Sequence, residues 1–408
     1  LAEAGVVQLN GGINYMILIP WMQLQSRCSI LQNSIKEKEI SGIVIFQNVD
    51  LYYYTGETGP NCFFVPAKGS PILFTRMRGE LPSLPWPVKK IKAWGEMLDI
   101  LKEYEINNFD NIGFEGDVLP AALYINIMSI FKNSKFLDVS SLIRAQRAIK
   151  SNWELDIFRE TAKKDLNVWS KIPDMIRESK SDFELSAQIE SEFRRQGHMG
   201  FFRCRGFNFD MSTSLTITGV ASAVPTLTEV PLSGNGISQY FPFGSSGQIL
   251  DYGNPIVVDC GTNYFGYTID QTRTFAIGEL NSKLNNAYNL CLEIQDLIVR
   301  NAKIGITCGE LYDMAKTMVD KADYTEGFMG ASGGVPFIGH GIGLEVDEFP
   351  IIRKGSKEII KEGMVFALEP KFAFSGIGAV GVENCFIVTG NGLERLTLCS
   401  DELRIIEV

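Results

Sequence analysis

Asp259 and Asp270 lie in PIVVDCGTNYFGYTIDQTRTFAIG, two β-prone runs joined by a short loop containing Gly266. That pattern reads as a hairpin with one aspartate on each arm. Folded about its midpoint, the hairpin sets the two carboxylates directly opposite each other on one face. Like charges beside the apolar run Ile256–Val258 are unfavourable unless a cation or a shared proton compensates, and a metal ion is the simpler remedy. Taken alone, two aspartates on a hairpin would more often be solvated surface groups.

His340 stands in FIGHGIGLEVDEFP, where flanking glycines allow close backbone approach around one imidazole. Histidine is the commonest metal ligand, and the chain has only two. The other, His198, follows a predicted helix end at Gly197, lies in no motif, and reads as a helix C-terminal or surface residue. In GMVFALEPKFAFSGIGAVGVENCFIV, Glu369 and Glu383 are each embedded in a strand-like apolar run, separated by a Gly-containing connection. Glutamates in such runs are rarely buried without a partner; edge-strand carboxylates facing water are the alternative. Together the segments offer four carboxylates and one imidazole. Four negative charges balance two divalent cations, which bridging carboxylates can hold roughly 3.5–4 Å apart. Hard oxygens with one nitrogen suit Mn, Fe, Co or Zn.

The elements that would position these groups fall into two blocks. From Met22 to about residue 145, helical and strand-like stretches alternate as in an α/β domain. Helices are expected near Leu24–Lys38, Trp94–Glu103 and Leu119–Phe131, with strands at GIVIF, CFFV, PILF and NIGFE. This block has no His and no clustered carboxylates, so it reads as scaffold or substrate rim. From residue 146 to 408 the pattern is α+β, helices packed against a mainly antiparallel sheet. Ser151 with Glu154 forms a capping box ahead of a helix reaching about Ile172, and Ser181 with Glu184 opens a second. Further helices are expected at Asn281–Asn301 and Cys308–Ala322. Residues 1–21 are set apart as an extension, with Met16 or Met22 as a natural start.

At 408 residues the chain is long enough for two domains, and 45% hydrophobic with 21% charged residues is an ordinary globular composition. The net charge of −10, without dense Lys or Arg runs, argues against nucleic acid as a partner. Eight cysteines scattered without C-x-x-C pairs read as reduced thiols of a cytoplasmic protein. The apolar stretch Tyr15–Met22 is too short to span a bilayer and lacks the flanks of a signal peptide, so no membrane partner is expected.

The motifs DCG, TIDQTRT, GHGIGLE, LEP and VEN, in this order and spacing, resemble the pita-bread metallopeptidases: prolidase, aminopeptidase P, methionine aminopeptidase and the metal-free creatinase. The resemblance covers the chain from about Arg144 onward. More loosely, the preceding block is similar to the creatinase/prolidase-type N-terminal domain. It implies a curved pita-bread sheet in which Asp259 chelates one metal, His340 and Glu369 hold the other, and Asp270 and Glu383 bridge them. Glu369 would also shuttle a proton. Within the family the pattern is most similar to the Xaa-Pro peptidases, which cleave the bond before proline, and the LEVDEFP and FPFG segments resemble a bacterial and archaeal branch of them. The resemblance further implies a short peptide substrate with proline at the second position, and a homodimer. It lapses at two positions where active relatives carry His: Asp347, and the neighbourhood of Pro242–Gly244. Those imidazoles contact substrate and the oxyanion, so Asp347 is carried as a catalytic candidate that could act protonated or bind a free amino terminus. A metal-dependent reaction on a non-peptide small molecule, and a catalytically silent peptide- or metal-binding relative, are the rival readings.

Overall fold

The computed structural model describes residues 6–8, 15–79, 83–226 and 229–407. The chain divides into two compact units, one from Met16 to Arg147 and one from Ala148 onward. Within the extension, residues 1–5 and 9–14 lie outside the described residues, and Val6–Gln8 pairs with Tyr15–Ile17 in a small ribbon.

The first unit is built on a six-stranded mixed sheet. Its strand order is Val88–Lys90, Ile72–Thr75, Asn61–Pro66, Gly42–Ile45, Asn111–Phe114 and Lys135–Asp138. The helix Trp21–Glu37 buries Leu24, Cys28, Leu31 and Ile35, whose spacing of three and four places them on one stripe. Val44, Phe64, Phe74, Leu101 and Ile112 form the centre of a second apolar layer. Full burial of each large side chain contributes about 1.5–3 kcal/mol, so the α/β reading of this block rests on ordinary apolar packing.

In the second unit the capping box forms as expected: Ser151 Oγ accepts from the Glu154 amide and the Glu154 carboxylate accepts from the Ser151 amide at 2.9 Å. The helix it opens, Asn152–Trp169, stops short of Ile172 because Pro173 belongs to the first turn of a new helix, Ile172–Glu178. Asp182–Arg195, Ser282–Asn301 and Cys308–Lys321 complete the long helices. The last two press Leu284, Tyr288, Ile294 and Leu311 onto Phe366, Leu368, Val380 and Phe386 in one buried cluster of this unit.

Three sheets frame the candidate residues. Ser214–Thr218, Pro255–Asn263 and Thr268–Ile277 are antiparallel neighbours, joined by Arg404–Ile406 in parallel. A five-stranded antiparallel sheet runs in the order Glu348–Arg353, Phe337–Gly341, Val365–Leu368, Asn384–Thr389 and Gly392–Arg395. The third is a separate hairpin of Lys371–Phe374 and Gly378–Gly381, so the Gly-containing connection between the two glutamates is itself a pair of strands.

The register of the aspartate hairpin differs from the midpoint reading. Asp259 faces Thr272 and Asp270 faces Gly261, a diagonal relation rather than direct opposition. The turn is the reason: the arms end at Asn263 and Thr268, the Asn263 side chain accepts from the Gly266 amide at 2.7 Å, and Gly266 takes a positive φ of 94°. Because the offset is two residues, both carboxylates still point to one face. Thr262, on the other face, meets the helix Asn152–Trp169 through Asp165.

Candidate metal centre

Three strand ends converge on the aspartate-bearing face. Glu369 directly follows Val365–Leu368, and its amide donates to Ile338 O at 2.9 Å, on the strand that carries His340. Glu383 lies between Gly381 and Asn384, and its amide donates to Thr272 O at 3.1 Å on the aspartate hairpin. The glutamates therefore sit at breaks between strands, not within them as the apolar runs suggested. At a break the chain leaves one sheet for the next, and the carboxylate can turn into the space between. A network behind Glu383 fixes this crossing: the buried Arg273 guanidinium donates to Glu383 O, Thr272 O, Asn384 Oδ1, Ser400 O and Cys399 O at 2.7–2.8 Å. Thr272 Oγ1 donates to Glu383 Oε2 at 2.7 Å.

All five sequence-predicted residues lie in one cluster. His340 Nε2 is 3.8 Å from Asp270 Oδ2, 3.5 Å from Glu369 Oε1 and 3.8 Å from Glu383 Oε1. Its Nδ1 lies 3.2 Å from Gly341 O. A carbonyl can only accept, so that contact puts the proton on Nδ1 and leaves the Nε2 lone pair facing the carboxylates. One ligand atom each of Asp270, His340 and Glu383 lie within 4.8 Å of one another. Glu383 Oε1 is buried there without a hydrogen-bond partner, an acceptor that a cation would satisfy. Hard oxygens with one imidazole suit a divalent ion of the first transition row. By its geometry and donor set, the cluster fits such an ion.

Asp259 reaches the cluster through a residue that the sequence reading passed over. Lys371 Nζ is 2.8 Å from Asp259 Oδ2, 2.7 Å from Glu369 Oε2 and 3.0 Å from Glu383 Oε2, with its side chain 2% exposed. The signal was present: a lysine inside LEPKFAF, two positions from Glu369, has no solvent face to occupy if the run is buried.

Electrostatics follow from burial and crowding. Burial pushes the Asp270 carboxyl well above its usual range, and the charges of Glu383 and Asp259 push it further. Burial also raises Asp259, with Lys371 opposing. For Lys371 burial works toward neutrality, but the surrounding charges of Asp259, Glu369 and Glu383 outweigh it and hold the ammonium well above the ordinary lysine value. On the far side of the hairpin, burial lifts Asp165 to about 7, against the hydrogen bond from Thr262.

The remaining candidates stand apart from the cluster or differ from expectation. Asp347 is half-buried, and its two oxygens accept from the Arg205 amide at 2.8 Å and the Gly206 amide at 3.1 Å. It pins a loop rather than standing free in solvent. Near Pro242–Gly244, Phe243 is buried in an apolar cluster with Leu215 and Ile217. His198 does follow a helix, which ends at Arg195, but it is no surface residue: it is 3% exposed, rings of Phe193 and Tyr264 pack against it, and Nδ1 accepts from the Gly200 amide. Burial, then the charge of Arg194, pushes it down to about 4. All eight cysteines are free thiols, and among the described residues no helix is long and apolar enough to cross a membrane.

Comparison with known proteins bears on these observations. Residues 27–149 match the creatinase/prolidase N-terminal domain, and residues 156–390 match metallopeptidase family M24. An Xaa-Pro dipeptidase of Pyrococcus furiosus is 28% identical over 387 residues, covering 93% of this chain and all of that protein. The crystal structure of a prolidase from Pyrococcus horikoshii superimposes with a TM-score of 0.75 at 25% identity, covering 93% of this chain and 99% of that one. An Xaa-Pro dipeptidase from Bacillus anthracis gives a TM-score of 0.77 at 25% identity, covering 94% and 99%. The fold is thus a creatinase-type N-terminal domain followed by a pita-bread domain, and membership of a metallopeptidase family implies a divalent metal cofactor. With more than half its length, and every residue of the acidic cluster, inside the matched span, the chain belongs to metallopeptidase family M24.

Proposed function

We propose that the chain is a metal-dependent Xaa-Pro peptidase, of aminopeptidase P or prolidase type, that cleaves the bond before proline in short peptides. One observation carries the reading: four carboxylates and an imidazole, distant in sequence, share a buried cluster in a chain similar over its length to Xaa-Pro dipeptidases. Asp259, Asp270, His340, Glu369 and Glu383 are the proposed ligand set. Four carboxylate charges alone would match two divalent ions, the Lys371 ammonium already offsets one of those charges, and Mn, Co, Fe or Zn suits the donors. A bound ion would polarise the scissile carbonyl and make water a better nucleophile near neutral pH.

The chain's own residues account for the rest. Glu369 Oε2 is held by Lys371, so its Oε1 is kept beside His340, where a carboxylate can take a proton from water and return it to the leaving amine. Asp347 acts by positioning: with both oxygens on the Arg205 and Gly206 amides it fixes the loop that borders Glu345, which meets the Arg205 guanidinium at 3.5 Å. We further propose a cytoplasmic homodimer, for which the eight free thiols support the reducing compartment, and a division at residue 145 between the creatinase/prolidase-like N-terminal domain and the pita-bread catalytic domain.

A second reading has its own support. The family resemblance implies imidazoles at Asp347 and near Phe243, and other side chains there favour a metal-dependent hydrolysis or lysis of a non-peptide substrate, or a silent peptide-binding role. Purified protein supplied with Mn or Co should release product from X-Pro dipeptides and longer X-Pro peptides, and Asp270→Ala should abolish release. Metal-loaded protein inert across such a panel would overturn the peptidase reading and favour the second.

A further inference from the structure

The glutamates divide their oxygens between two neighbours. Glu369 and Glu383 each turn Oε2 to the Lys371 ammonium, at 2.7 and 3.0 Å, and Oε1 toward His340 Nε2, at 3.5 and 3.8 Å. Asp259 faces the ammonium at 2.8 Å, whereas Asp270 faces the histidine at 3.8 Å. The four carboxylates are thereby sorted between the ammonium and the imidazole, and the position beside Asp259 is already filled by a positive side chain.

The fold makes room for that side chain. Lys371 pairs with Gly381 across the small hairpin, and a Cβ at Gly381 would stand 2.4 Å from Lys371 Cγ. Any other residue there would displace the stem that delivers the ammonium. A dication beside Asp259 would have to share the same carboxylate oxygens with the ammonium and would be repelled by it at close range.

We propose that the Lys371 ammonium permanently takes the place of one cation, so that this chain holds a single divalent ion, among Asp270, His340, Glu369 and Glu383. The charge count agrees: four carboxylates, one ammonium and one dication leave the cluster one unit negative, whereas two dications with the ammonium would leave it positive. The inference concerns occupancy and not the reaction, so it can fail while the peptidase reading stands, and the reverse.

The test is metal stoichiometry on the full chain. Protein stripped with a chelator is titrated calorimetrically with Mn(II), and the saturated sample is examined by electron paramagnetic resonance. The wild type should bind one ion per chain and give the hyperfine pattern of an isolated Mn(II). Lys371→Ala should bind two and give the broadened spectrum of an exchange-coupled pair, while Lys371→Arg should remain at one. Two coupled ions in the wild type, or none at saturation, would overturn the proposal, as would a Lys371→Ala protein that stays at one. Should Lys371→Ala fail to fold, the wild-type stoichiometry and spectrum decide alone.

Discussion

Asp165 gives a prediction that depends only on burial and sign. It is 2% exposed on the helix Asn152–Trp169, accepts from Thr262 Oγ1 at 2.8 Å, and is lifted by burial from 3.8 to about 7. Between those values the folded chain keeps a proton that the unfolded chain has released. Its stabilising contribution is therefore whole below pH 3.8, drains as pH rises, and is gone above about 7. The interval spans about three pH units at roughly 1.4 kcal/mol each, so at most ~4 kcal/mol is at stake. Asp165→Asn keeps an acceptor for Thr262 and cannot ionise. Urea unfolding of both proteins at saturating Mn, followed by tryptophan fluorescence from pH 4 to pH 8.5, should show the variant gaining on the wild type by up to that amount and levelling off above pH 7. Curves that stay parallel across the range would refute the reasoning, because they would mean that Asp165 carries the same charge folded and unfolded.

Two further outcomes follow from the hydrogen-bond networks. Arg273→Lys cannot reach the five acceptors that the guanidinium serves, and breaking a buried charged network costs about 3 kcal/mol or more; urea unfolding should show that loss, with weaker Mn binding because Glu383 is no longer fixed. Asp347→Ala removes the charged acceptor that the Arg205 and Gly206 amides share, costing about 1–3 kcal/mol, so limited trypsin cleavage after Arg205 should accelerate roughly tenfold for each 1.4 kcal/mol lost, with Asp347→Asn falling between the two.

The sequence made the site legible where chemistry is written in residue type. Four ligand candidates were visible because carboxylates in apolar runs demand compensation, His340 because glycines flank its imidazole, and the capping box at Ser151 and Glu154 because its partners are three residues apart. Long-range geometry was less so. The aspartate register turned on one side chain, Asn263, reaching the Gly266 amide, and a midpoint rule cannot anticipate that. Glu369 and Glu383 read as strand residues because their neighbours are apolar; the strand breaks come from the change of partner sheet, a tertiary fact. Lys371 was passed over because lysine is read by default as solvated, and only the convergence of Asp259, Glu369 and Glu383 gives its charge a reason to be buried. His198 shows the same default from the other side: a histidine outside any motif proved to be packed between aromatic rings.

The most direct test of the metal centre is anomalous diffraction from crystals soaked in Mn(II), with data collected on both sides of the manganese absorption edge. The account predicts an anomalous peak bounded by His340 Nε2 and the carboxylates of Asp270, Glu369 and Glu383. A peak elsewhere in the molecule, or soaked crystals without one at this position, would contradict it.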